Sequence, residues 1–149
     1  MGEEGDFLLL DDRALLAQCR VETYRSGGPG GQHRNKVSSA VRLHHGPTGL
    51  AVHADESRLQ GENRRRALSR LRMAVACRVR RPVDPSAGPP PVVAGCLRAP
   101  KGGGPMRLEI GRRDARFWAV AAHLLDLLEA SEGRLADAAE RLGVSTGSL

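Results

Sequence analysis

Residues 25–36 read RSGGPGGQHRNK, and they decide how the chain around them is built. Four glycines and a proline fall in the five positions 27–31, which costs too much backbone order for a helix or strand of a core. The segment is therefore a loop. Gln32, His33, Arg34, Asn35 and Lys36 follow in succession, a polar load that a plain hairpin turn does not require. Glycines allow close backbone approach, and basic side chains bind phosphates. Two phosphate-binding motifs are excluded. A P-loop needs Gly before and Ser or Thr after its lysine, but Lys36 lies between Asn35 and Val37. A dinucleotide fingerprint after Gly28 and Gly30 would need a third glycine where His33 stands.

Working outward, Asp11 or Asp12 caps a short helix over Asp12 to Gln18, and Cys19 to Tyr24 reads as a strand. Beyond the loop, Ser39 to His44 and Leu50 to Ala54 flank the turn Gly46-Pro47-Thr48-Gly49 and predict an antiparallel hairpin. Leu68, Leu71, Val75 and Val79 recur at helical spacing, with Leu59 and Ala67 near the same side, predicting a helix from about Glu56 to Arg80. Arg64, Arg65, Arg66, Arg70 and Arg72 cover much of its remaining surface. His44 and His45, beside the turn, read as surface strand-end residues.

Residues 82–105 hold seven prolines and five glycines. They predict a linker, with Pro91 to Ala94 packing locally. Arg107 to Ile110 predicts a short edge strand. A helix from near Arg113 carries Phe117, Val120, Ala121, Leu124, Leu127 and Leu128. A shorter one carries Leu135, Ala138, Ala139 and Leu142 and closes at Gly143. The expected fold class is α+β: a small antiparallel or mixed sheet packed against a long helix, the loop protruding, plus a C-terminal helical hairpin. The expected domains are 1–81, a basic linker over 82–106, and an appendage over 107–149.

The chain has 149 residues and a net charge of +6. That length fits one domain with an appendage. Aromatic residues are 3%, so the core must be built mostly from Leu, Val and Ala. The charge is unevenly placed. Residues 1–19 hold five acids and one arginine, residues 20–81 fourteen bases and four acids, and residues 82–149 eight of each. A concentrated positive field suits a polyanion, and nucleic acid leads the candidates. Cys19, Cys77 and Cys96 are far apart and form no CxxC or CxxH pair, against a disulfide framework or a zinc site. An acidic start argues against a secretory or transit signal, and no run of 18 apolar residues supports a membrane span. The expected location is cytoplasmic.

The run from Ser26 to Lys36 resembles the GGQ loop of class I peptide-chain release factors and of the small stalled-ribosome rescue hydrolases built on the same domain. The likeness continues through Val37-Ser38-Ser39-Ala40-Val41-Arg42-Leu43 and His45-Gly46-Pro47-Thr48-Gly49-Leu50. It extends to Glu56-Ser57-Arg58-Leu59-Gln60 and Asn63-Arg64, covering roughly residues 11–80. Three residues recur by chance, but this ordered combination across sixty is specific.

The resemblance implies hydrolysis of the ester joining a nascent peptide to tRNA. Water attacks the ester carbonyl, and the resemblance implies that the backbone N–H of Gln32 stabilises the developing charge. The Gln32 side chain orients water and excludes larger nucleophiles, while Gly30 and Gly31 permit the required backbone geometry. The ribosome and tRNA supply the remaining catalysis, so no Ser-His-Asp set is needed. The implied RNA contacts are Arg25, His33, Arg34, Lys36, Arg42, Arg58, Arg64 and Arg65. For His33, an rRNA contact or loop packing is a stronger reading than proton transfer. Gly28, Asn35, Gln60 and Asn63 support the loop or domain. No metal or cofactor is implied. The implied partners are peptidyl-tRNA and the ribosome, at the peptidyl transferase centre and large-subunit rRNA, and the protein is expected to be monomeric.

Two departures shape the functional expectation. Full release factors carry codon-reading domains, for which the residues before the first strand leave no room. The expected function is therefore codon-independent hydrolysis on stalled ribosomes. Small rescue factors also end in a flexible basic tail, whereas residues 131–149 carry two arginines against three acids. Arg98, Lys101 and Arg107 are a poor substitute for that tail in this reading. A non-catalytic ribosome- or RNA-binding quality-control or assembly factor is the main alternative, and a hydrolase acting off the ribosome ranks lowest. Residues 137–146 resemble the first helix and turn of a helix-turn-helix, for which plain helix packing is the stronger explanation.

Overall fold

The computed structural model describes residues 6–25 and 38–149. The chain divides into two compact units, Met1–Val75 and Ala76–Leu149.

The first unit begins with a single 3-10 turn, Phe7–Leu9, and helix α1, Asp12–Ala17. Asp11 caps α1, its carboxylate accepting from Ala14 N–H at 2.7 Å. Strands β1 (Cys19–Tyr24), β2 (Ala40–His45) and β3 (Ala51–Ala54) form an antiparallel sheet in that order. The register pairs Glu22 with Arg42 and Tyr24 with Ala40, then Arg42 with His53 and Leu43 with Val52. The turn between β2 and β3 closes through His45 N–H to Leu50 O, 2.8 Å, and Gly49 N–H to His45 O, 2.9 Å. Gly49 has φ +70°, a region other residues enter at a cost.

Alternation along β2 sorts its side chains. Val41, Leu43 and His45 are buried on one face, while Arg42 is exposed on the other. Helix α2, Gln60–Arg78, buries Ala67, Leu68, Leu71 and Val75 at the expected spacing. Two of its arginines tie it to neighbouring backbone. Arg70 donates to His53 O at 2.6 Å and pairs with Glu56, while Arg72 donates to Leu10 O at 2.9 Å and pairs with Asp12 at 2.6 Å.

Three details differ from expectation. The helix starts at Gln60 because Ser57 holds the backbone before it in a local turn. Its hydroxyl accepts from Leu59 N–H and donates to the Glu62 carboxylate. Leu59 precedes the helix and is 65% exposed. His45 is buried, 1% exposed, rather than at the surface. Its ring lies between Thr48 Oγ1, 2.7 Å from Nδ1, and Gln18 Oε1, 2.9 Å from Nε2, with Phe7 edge-on at 5.0 Å.

The second unit contains α3 (Pro91–Ala94), β4 (Leu97–Arg98), β5 (Arg107–Leu108), α4 (Phe117–Ala130) and α5 (Leu135–Leu142), then a 3-10 turn, Thr146–Ser148. Its core gathers Val93, Cys96, Val120, Leu127, Ala138, Ala139, Leu142 and Val144. The stretch 82–106, expected as a linker, thus supplies two buried core residues, Val93 and Cys96. Pro91 suits the first position of α3, where no backbone N–H is required. Helix α4 starts at Phe117, later than the expected Arg113. A tight turn precedes it, in which the Asp114 carboxylate accepts from Arg116 N–H at 2.9 Å and binds its guanidinium at 2.8 Å. Within α4, Asp126 is buried, accepting from Arg81 N–H at 3.1 Å and pairing with Arg80 at 2.9 Å. Gly143 ends α5 at φ +70°, and Met106 then bridges to Val144. Leu135, placed by sequence in the apolar stripe of α5, is 51% exposed. Among the described residues, no helix is long and apolar enough to cross a membrane.

Candidate functional site

The register pair Tyr24–Ala40 closes one end of the sheet, and Arg25 and Ser38 are the described residues that flank the Gly-rich segment. Gly28, Gly30, Gly31, Gln32, His33, Arg34, Asn35 and Lys36 lie outside the described residues.

Two side chains of α2 hold the backbone just after that segment. Gln60 Nε2 donates to Ser38 O at 2.9 Å, and Asn63 Nδ2 donates to Ser39 O at 2.8 Å. Asn63 is fully buried and donates a second bond to Ser57 O, 2.8 Å, while its Oδ1 accepts from Ser57 N–H at 3.0 Å. One amide group thereby joins the start of β2, the segment before α2 and α2 itself. A buried amide so fully used is expensive to remove. Gln60 and Asn63, named with Gly28 and Asn35 in the sequence reading as loop or domain support, both reach the same stretch of backbone. The acceptors Ser38 and Ser39 had no signal of their own, since any residue offers a carbonyl.

The arginines fall into two groups. Arg42 is engaged locally. Its guanidinium lies 5.0 Å from the Tyr24 ring centroid and 3.7 Å from the Glu22 carboxylate. Glu22 also meets His44 at 3.2 Å and Arg20 at 2.6 Å. The hydrogen bond from His44 holds the Glu22 carboxyl below its ordinary range, helped by the charges of Arg20 and Arg42. Arg70 is committed too, and its hydrogen bond lowers the Glu56 carboxyl to about 2. By contrast, Arg25, Arg58 and Arg65 are exposed and Arg64 is half-buried, and none makes an ion pair among the described residues. Arg66, which sequence reading left as helix surface, belongs with them. It is exposed beside Arg65 in a shallow concavity completed by Ser69 and Arg70.

Unpaired exposed guanidinium groups keep their forked donors for an outside anion. Among the described residues, no group of three His, Cys, Asp or Glu side chains is placed to hold a metal ion.

Residues 15–84 match the RF-1 domain family. The chain is 54% identical over 63 residues to peptide chain release factor 2 of Paramagnetospirillum magneticum, covering 42% of this chain and 17% of that one. It is 51% identical over 70 residues to peptide chain release factor 2 of Treponema pallidum, covering 44% and 19%. The chain thus spans less than a fifth of the length of these curated relatives. The matched segment takes in the end of α1, the Gly-rich segment, the three strands and α2. Residues 15–84 of this chain therefore belong to the RF-1 domain family, the catalytic domain of class I peptide-chain release factors.

Proposed function

We propose that this chain hydrolyses the ester of peptidyl-tRNA on stalled ribosomes without reading a codon. The observation that carries the reading is the match over residues 15–84, within which Gly30-Gly31-Gln32 is intact. Water adds to the ester carbonyl, the bond to the ribose oxygen breaks, and that oxygen takes up a proton as it leaves. The Gln32 N–H stabilises the oxyanion and its side chain positions water. Gln60 and Asn63 act as positioning residues, holding the backbone that follows the loop. Arg25, Arg34, Lys36, Arg58, Arg64, Arg65 and Arg66 bind rRNA or tRNA phosphates.

The test is peptide release from ribosomes stalled on truncated mRNA, on intact sense codons and on stop codons. Turnover confined to truncated complexes and abolished by Gln32→Ala supports the proposal. Turnover confined to stop codons overturns codon independence, and no turnover on any complex overturns hydrolysis in favour of a binding role.

A further inference from the structure

In the second unit, Arg98 of β4 and Arg107 of β5 are direct cross-strand partners, and both are exposed. Like charges opposed in this way repel. The register nevertheless holds because the adjacent pair, Leu97 and Leu108, packs against the buried core. Arg98 spends Nη1 on Gly95 O and Leu97 O. Its Nε and Nη2 have no partner among the described residues. Lys101, Arg112 and Arg113 are exposed nearby in sequence, and none of these five bases is ion-paired among the described residues.

Averaging over 82–149 hides this, because that stretch sums to zero. Residues 97–113 hold five bases against one acid, Glu109, while 114–149 hold three bases against six acids. Within this stretch the bases therefore cluster in sequence on and around a two-stranded ribbon whose Leu97 and Leu108 pack on the core. A repelling pair fixed on a rigid element is relieved by a polyanion, and paired guanidinium forks suit adjacent phosphates.

We propose that the outward face of the β4–β5 ribbon, carrying Arg98, Lys101 and Arg107, is a second RNA-backbone contact, separate from the matched segment. It rests on the ribosome-directed reading only for the choice of RNA as the polyanion. It gives the chain a fixed basic element with which to engage a ribosome.

The test uses the full chain and a fluorescein-labelled structured RNA, with anisotropy followed across a KCl series. The variant Arg98→Gln/Lys101→Gln/Arg107→Gln should reduce the magnitude of the log–log salt slope by about 2 to 3, and Lys101→Gln alone by somewhat under 1. Arg98→Lys/Arg107→Lys should keep the slope near that of the parent. An unchanged slope in the triple variant overturns the proposal. So does an equal loss in the Arg→Lys variant, which would mark a structural rather than an electrostatic role. Trp118 emission and thermal melts report whether each variant folds. Peptide release at saturating protein separates the two readings. Gln32→Ala should lose release and keep the salt slope, whereas the ribbon variant should reduce the slope and raise the protein concentration needed for half-maximal release. If the parent chain shows no release at all, the slope still decides the ribbon.

Discussion

The Asn63 side chain on the long helix donates from Nδ2 to the carbonyl of Ser39, 2.8 Å away, across 24 positions of sequence. That bond makes the helix a brace for the backbone leaving the Gly-rich segment. Asn63→Ala removes this bond and both bonds to Ser57, leaving buried groups unpaired, and should destabilise the first unit by about 2–4 kcal/mol. Chemical denaturation of the full chain checks it, and a loss under about 1 kcal/mol would contradict the bracing role.

Among the described residues, the Gln60 side chain makes one hydrogen bond, to Ser38 O. Gln60→Ala should therefore cost about 1 kcal/mol or less in stability. It should slow release on the order of 10-fold at saturating protein, through misplacement of the loop's exit. The half-saturating concentration should stay near that of the parent, since no phosphate contact is lost. A shift in half-saturation with an unchanged maximal rate would instead place Gln60 in binding.

Burial lowers the His45 pKa below the ordinary 6.5, so the unfolded chain binds that proton more tightly than the folded one. The stability contributed by the neutral ring is complete above the ordinary histidine range. It falls as pH drops below 6.5 toward the lowered folded value. Amide exchange across β2 at pH 7.5 and 5.5 should show faster opening at the lower pH. In His45→Gln that difference should shrink, even though the variant is less stable throughout.

Arg65→Gln/Arg66→Gln should weaken RNA binding and reduce the magnitude of the salt slope by about 2, while melting stays near that of the parent. Arg42→Gln should alter the slope less, because its charge is already answered by Glu22 and its plane rests on Tyr24. An Arg42 effect equal to that of the pair would show that this local pairing breaks on binding.

Asp126→Ala removes the carboxylate that meets Arg80 and the Arg81 N–H. Because the group is buried, the loss should be about 3 kcal/mol. Trp118 is the chain's single tryptophan and lies in the same helix, so its emission reports the melting of the second unit directly.

Much of the first unit was readable from residues. The turn at 46–49 and the Leu68–Leu71–Val75 spacing carry strong local signals, and the helix and strands lie close to where these placed them. His45 was misread because a histidine next to a turn looks like surface. Its burial depends on Gln18 and Phe7, distant in sequence. The second unit was harder. Proline and glycine density over 82–106 suggested a linker, yet the apolar Val93 and Cys96 sufficed to draw that stretch into a core. Charge counted over long windows also hid the opposition of Arg98 and Arg107, which only strand register reveals. Of the candidate site, Gln60 and Asn63 were singled out through resemblance. What they hold, two main-chain carbonyls, leaves no trace in residue identity.

The boundary between the compact units falls after Val75, whereas the matched family segment runs on to residue 84. Nine positions therefore serve two masters, belonging to the family by descent and to the second unit by packing. Among them are Arg80 and Arg81, both of which the buried Asp126 carboxylate engages. A gene fusion that exchanged the residues beyond 84 would remove the carboxylate that meets the Arg80 guanidinium and the residue 81 N–H. Residues 76–84 and the helix that carries Asp126 must then change together, which makes this stretch a place where substitutions should be found in step.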